Sequence, residues 1–174
     1  AHGAPVRLIV AGWYGMASVK WLQRLIVTER PFHGYFQTLT YSMWDRSGGM
    51  PELVPVRDMQ VKSEIARPTS MEVVPARSTY RIFGAAWAGE STVRKVEIST
   101  DGGQSWHEAK LLDESTPFTW RRWEYAWRTP EKTGRLLLMA RATDARGRVQ
   151  PMQRDTDRRD AVVSHVLPIA VEVR

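Results

Sequence analysis

Residues 5–25 read "PVRLIVAGWYGMASVKWLQRL", and the side chains here that could do chemistry are cations and hydrogen-bond donors gathered around glycines. Arg7 and Lys20 belong to two apolar runs, Val6, Leu8, Val10 and Val19, Trp21, Leu25, which are joined through Gly12, Gly15 and Ser18, with His2 just upstream. The spacing predicts a strand, a glycine-marked turn and a second strand. Donors beside glycines, where a backbone can approach a ligand closely, are what a phosphate or other anion requires. The plainer alternative is a long β-turn with Lys20 in solvent. Elsewhere, His33, His107 and His165 have no nucleophile and acid at supporting spacings, which argues against a hydrolase. The chain has no cysteine, so it forms no disulfide and no thiolate metal site of its own.

These candidates need a scaffold, and 174 residues suffice for one domain with a substantial extra segment. Twenty-five Lys and Arg against nineteen Asp and Glu leave a net charge of +6, but the charges are interspersed, which speaks against nucleic acid. No apolar run approaches the roughly 20 residues of a spanning helix. The start "AHGAPVRLIV" has no initiator methionine and enters a strand within a few residues, as expected of a fragment or processed product.

Three blocks follow. Residues 1–48 hold the two strand-like runs and an aromatic loop. Residues 49–70 are rich in Gly and Pro and read as a linker, with "MQVKSEI" as the one run able to pair. Residues 71–174 show short strands about ten residues apart, the pattern of a two-sheet β-sandwich. The "DGG" at 101–103 supplies a tight turn. In "TWRRWEYAWRT", Trp123, Tyr125 and Trp127 share one face, and Trp106, Trp120, Trp123 and Trp127 are expected in the core. Pro168 predicts that the last strand lies at a sheet edge or starts there.

The stretches "HGAPVRLIVAGWYGMASVKWLQR", "YRIFGAAWAG", "VRKVEISTDGGQSWHEAKL", "WRRWEYAWRTP" and "LLLMARATDARGRVQP" together resemble the carboxyl-terminal half of the sulfite oxidase family of molybdenum-molybdopterin oxidoreductases. The motifs "HGxPxR", "GxxGxxSVKW" and "STDGGQSW" carry the resemblance, which covers nearly the whole chain. It implies a mainly β chain: the strand-rich end of a molybdopterin-binding domain (1–48), then an immunoglobulin-like dimerisation domain (71–174). It implies that His2, Arg7, Ser18, Val19 and Lys20 contact molybdopterin, Arg7 and Lys20 chiefly near its phosphate. A buried phosphate dianion needs such cations and several N–H groups.

The family's metal is held by a cysteine from an upstream segment, so the resemblance implies no metal ligand and no catalytic residue in this chain, which alone is expected to be inactive. In the complete enzyme it would contribute dimerisation and one wall of the pterin site for oxidation or reduction of a small oxyanion. The late "RRGxxNN" pattern stands here as "RRDAVVS", and alignment on it selects Arg159, rather than Arg158, as the residue facing the oxyanion. Ala11 and Gly12 replace the usual Pro-Gly. A homodimer and a periplasmic location, with the cytoplasm as the alternative, follow from the same resemblance. The competing reading is a non-enzymatic immunoglobulin-like module binding a glycan or protein partner through tryptophans; it leaves the donor-rich first block without a role.

Overall fold

A computed structural model describes residues 3–174, so the expected cofactor contact His2 lies outside the described residues. Two compact units divide the chain: the first is residues up to Met59 with Arg154–Val163, the second Gln60–Gln153 with Ser164–Arg174. Among the described residues, no helix is long and apolar enough to cross a membrane.

In the first unit an antiparallel hairpin pairs β1 (Ser42–Asp45) with β2 (Glu52–Pro55). Gly49, at φ 90°, lies in the turn between them, where a side chain would be strained. A single π-helical turn, Phe36–Thr40, leads into β1. The segment 154–163 contributes a short 3₁₀ turn, Thr156–Arg158, in which the Asp155 carboxylate accepts from the Asp157 N–H. Arg46 forks onto Asp157, Nε to Oδ2 at 2.7 Å and Nη2 to Oδ1 at 2.9 Å, and this hydrogen-bonded cation holds the carboxyl below its ordinary range.

The second unit is an immunoglobulin-like sandwich. Its strands are β3 (Lys62–Arg67), β4 (Val73–Val74), β5 (Thr79–Trp87), β6 (Val93–Ser99), β7 (His107–Glu108), β8 (Lys110–Leu111), β9 (Arg121–Arg128), β10 (Gly134–Asp144) and β11 (Ile169–Val173). One sheet runs β4-β11-β10-β6-β7, the other β3-β5-β9-β8. Strict alternation makes the core: Ile82, Val96, Ile98, Trp123, Leu138, Val171 and Val173 have no exposed surface. Between β7 and β8 the chain changes sheets within five residues, pivoting on buried Ala109, whose N–H donates to Val96 O at 2.9 Å.

Two side chains tie parts of this unit together. The carbonyl Oε1 of Gln150, a residue 1% exposed, accepts from Ser63 N–H of β3 at 2.8 Å and Ala142 N–H of β10 at 3.2 Å, linking a strand of each sheet. Glu72 accepts from Tyr80 Oη at 2.6 Å and Arg67 Nε at 3.2 Å on one oxygen, and from Thr69 N–H at 2.8 Å on the other. The Tyr80 hydroxyl foremost, with the Thr69 N–H, lowers the Glu72 pKa to about 2. A carboxyl lowered on folding adds stability above its unfolded pKa, and that stability is lost as pH falls from about 5 through about 2. Glu72→Gln is therefore expected to lower stability at pH 7 by about 1 kcal/mol after allowing for solvent screening, and to flatten the acid limb of the stability curve over that window. Urea midpoints between pH 7 and pH 2.5 check it.

The described structure departs from the sequence expectations in four places. Neither apolar run of residues 5–25 forms a strand, the two pairing only at the isolated Arg7–Lys20 bridge: Trp21 sits at φ 52°, which breaks the second run's extension, and Leu25, Ile26 and Val27 are 65–94% exposed with no sheet to join. The expected linker 49–70 holds β2 and β3, because its Gly-rich start is a hairpin turn and "VKSEI" finds β5 as a partner. Residues 154–163, expected within the sandwich, belong to the first unit. Of the four tryptophans, Trp123 and Trp127 are core, whereas Trp106 lies half-buried beneath the Arg141 guanidinium, 4.1 Å from its ring centroid, and Trp120 is 58% exposed. Pro168 immediately precedes β11, which is internal, between β4 and β10.

Candidate functional site

In the first unit the two apolar runs meet as expected, though only briefly. Leu8 N–H donates to Val19 O at 2.9 Å and Leu22 N–H to Val6 O at 3.0 Å, which makes Arg7 and Lys20 an antiparallel bridge pair. Residues directly opposite in such a pair carry their Cβ atoms about 4.5–5.5 Å apart on one face. Both cations are exposed, so two positive charges stand side by side toward solvent. Gly3 packs between their stems. A Cβ built there would meet Lys20 Cβ and Cγ at 3.2 Å and Arg7 Cβ at 3.3 Å, and Gly3 is at φ 107°. Only glycine gives this approach without strain.

The connecting turn is braced from within. Ala17 N–H donates to Tyr14 O, Ser18 N–H to Gly15 O and Val19 N–H to Ala17 O, all at 3.0–3.1 Å, and Val10 N–H reaches Ser18 Oγ at 3.4 Å. In the stretch Gly15–Val19, whose backbone the family resemblance implies helps hold the cofactor, the N–H groups of Ala17, Ser18 and Val19 are thus spent inside the turn. Ser18 and Val19 hold the two runs in register, and the charge comes from Arg7 and Lys20. The base of the turn is fixed by Tyr14 N–H to Arg57 O at 3.0 Å and Met59 N–H to Gly12 O at 2.8 Å, with the Arg57 guanidinium 5.8 Å from the Trp13 ring centroid.

Arg159 is held elsewhere in the same unit. Its Nη1 donates to Leu39 O and to Ser42 Oγ, both at 2.6 Å, while its backbone takes φ 54°, ψ −147°, a region that non-glycine residues enter only when their surroundings force it. Arg158 instead pairs with Asp155 at 3.3 Å. The two neighbouring arginines therefore point to different partners. The sequence reading did not single out Gly3, although it stands in the quoted "HGxPxR", and it had no signal for Ser42, which lies 117 residues from Arg159. Among the described residues no group of His, Asp or Glu could hold a metal ion.

The first unit carries a pair of exposed cations on an isolated bridge, and the second is an immunoglobulin-like sandwich. Residues 54–160 match the Mo-co oxidoreductase dimerisation domain family and residues 1–36 the oxidoreductase molybdopterin binding domain family. The chain belongs to the Mo-co oxidoreductase dimerisation domain family. It is similar to mitochondrial sulfite oxidase of Mus musculus, 31% identical over 160 residues that cover 86% of this chain and 29% of the relative. The NADPH nitrate reductase of Neurospora crassa is 33% identical over 131 residues, 63% of this chain and 13% of that protein. The structure of the sulfane dehydrogenase SoxCD from Paracoccus pantotrophus superposes with a TM-score of 0.79 at 26% identity, covering 97% of this chain and 44% of that one. The chain thus spans less than a third of the length of the sulfite oxidase it matches.

Proposed function

We propose that this chain is the carboxyl-terminal portion of a sulfite oxidase-like molybdenum oxidoreductase, forming part of the molybdopterin site with its first unit and a homodimer contact with its second. The observation that carries the reading is the Arg7–Lys20 pair, set on one face of a bridge inside the segment that matches a molybdopterin-binding domain. The donor set fits the anionic end of such a cofactor: two cations beside a glycine that keeps their stems together. It does not fit the metal end, since the chain has no cysteine, so any thiolate ligand comes from outside it. When bound, the cofactor supplies the redox chemistry. This chain's residues bind and orient.

The first unit carries apolar surface suited to being covered by the rest of that domain, with Val6, Ile9, Trp21 and Leu25 all more than half exposed. Arg159 is proposed to bind the oxyanion substrate. Leu39 O and Ser42 Oγ anchor one end of its fork, and the strained backbone at this position is the kind retained at functional sites. The substrate class is a small oxyanion, and a periplasmic location remains part of the proposal.

The test uses the complete enzyme. Arg7→Ala and Lys20→Ala are each expected to lower molybdopterin and molybdenum content, since each removes a charge-assisted contact worth about 1.5–3 kcal/mol, roughly 10- to 100-fold in affinity. Arg159→Ala is expected to keep the molybdenum and raise KM for an anionic substrate strongly. Full metal content in both cation variants refutes the cofactor assignment, and an unchanged KM refutes the Arg159 role.

A further inference from the structure

The segment 154–163 is crowded with charge, since Arg154, Arg158 and Arg159 stand among Asp155, Asp157 and Asp160. An arginine that is to bind an oxyanion in such company has to be kept from the carboxylates beside it, because a partner on the same chain competes at high effective concentration with any ligand in solution. Each aspartate has an arginine of its own. Asp155 takes Arg158 at 3.3 Å, Asp160 takes Arg154, and Asp157 takes Arg46, which directly follows β1 and forks onto it at 2.7 and 2.9 Å. Among the described residues, no carboxylate is paired with Arg159.

Arg159 is held by neutral oxygens instead. Its Nη1 donates to Leu39 O, within the π-helical turn, and to the hydroxyl of Ser42, a residue with no exposed surface. Two such acceptors use both hydrogens of Nη1 and fix the guanidinium plane without cancelling its charge. The edge formed by Nε and Nη2, which matches an oxyanion as a fork, carries no bond among the described residues. Arg154 and Arg158 reach their aspartates from six and three residues away, whereas Arg46 reaches Asp157 from 111 residues away. Asp157 is therefore the carboxylate whose partner has to be brought in from elsewhere, and it lies two residues from Arg159.

We infer that Arg46 is a positioning residue for the oxyanion site: by holding Asp157 it keeps that carboxylate off Arg159 and leaves the Nε–Nη2 edge to the ligand. The inference rests on the reading of Arg159 given above and goes beyond it, since Arg46 acts through another charge and touches no ligand. Its side chain is 58% exposed, so replacing it empties no cavity. A cation that only braced the fold is missed whether or not Asp157 keeps its charge. A cation that restrains a carboxylate is missed only while the carboxylate remains.

Calorimetric titration of the complete enzyme with inorganic sulfate reads this difference. Arg46→Gln is expected to raise the Kd at least about 3-fold, with molybdenum content and melting temperature held. Arg46→Gln combined with Asp157→Asn is expected to bring the Kd back to within about 2-fold of the unsubstituted enzyme, and Asp157→Asn alone, which also breaks the fork, to leave it there. Normal sulfate binding by Arg46→Gln, or a double variant as weak as the single, overturns the inference. If Arg46→Gln does not fold, Asp157→Asn decides: an unchanged Kd supports the role of Arg46 and a raised one overturns it. Arg159→Ala separates the two readings. Weakened binding there with Arg46→Gln unaffected overturns the role of Arg46 alone. Unchanged binding there, or no binding of sulfate by the unsubstituted enzyme, overturns the oxyanion reading and this inference with it.

Discussion

Replacing Gly84 by alanine is expected to destabilise the sandwich by more than about 3 kcal/mol, against the fraction of a kcal/mol that a glycine-to-alanine change in a strand ordinarily gains. A Cβ on Gly84 would overlap the backbone oxygen of Glu64 and lie 2.6–2.8 Å from the indole carbons of Trp123. Neither neighbour can yield cheaply. The Glu64 carbonyl belongs to β3, paired with β5 through Ile65 opposite Gly84, and moving it opens that ladder. Trp123 has no exposed surface and fills the centre of the core, where close packing leaves no space to receive a displaced ring. Gly15→Ala is the control, since a Cβ there meets nothing within 4 Å, and its effect is expected within about 0.5 kcal/mol. Urea denaturation of the two variants decides the matter: a Gly84→Ala midpoint indistinguishable from that of the unsubstituted protein contradicts the packing argument.

Gln150→Met carries the second large effect, about 2–3 kcal/mol. Methionine keeps most of the volume and removes the acceptor, so the N–H groups of Ser63 and Ala142 lose their partner inside the protein. Each stranded buried donor costs about 1–3 kcal/mol. Part of this is offset, because the Gln150 Nε2, buried with no partner among the described residues, leaves with it. A lower urea midpoint at unchanged m-value is the expected signature, with faster amide exchange at Ser63 and Ala142. Unaltered exchange at both amides counts against the link between the sheets.

The sandwich was legible where alternation was strong. "RWEYAW" announced its buried face correctly, and Trp123 and Trp127 occupy it. Trp120 was not legible, because a tryptophan just outside a strand carries no periodic sign of the face it takes. The positive φ of Gly102 and Gly103 was readable from "DGG", but the connection is a loop over 100–106 and not a tight turn, and its backbone bond to β10 is made with Leu137, some 35 residues later. In the first block apolar spacing foretold two strands, of which only the Arg7–Lys20 bridge forms, and the failure of the second run to extend turns on the positive φ of Trp21, for which its residue type gives no warning. The position of residues 154–163 rests on ion pairs and hydrogen bonds that reach back more than a hundred residues, from Asp157 to Arg46 and from Arg159 to Ser42, and such contacts leave no local trace. Family resemblance, not pattern, is what marked Arg159.

The crossing of residues 107–111 from one sheet to the other has a consequence for solubility. Because β7 and β8 are one continuous segment of two residues each, both sheets end there in the same stretch of chain, and each offers a foreign strand only a very short edge on that side. The opposite side ends in β4 and β3. β4 is two residues long and followed by Pro75, while β3 carries a register shift between Ile65 and Arg67, runs into Pro68, and has its Ser63 N–H already engaged by Gln150. Short, kinked and proline-ended margins are how β-proteins resist runaway strand addition. A chain with such margins leaves little edge on which a fibre could be templated.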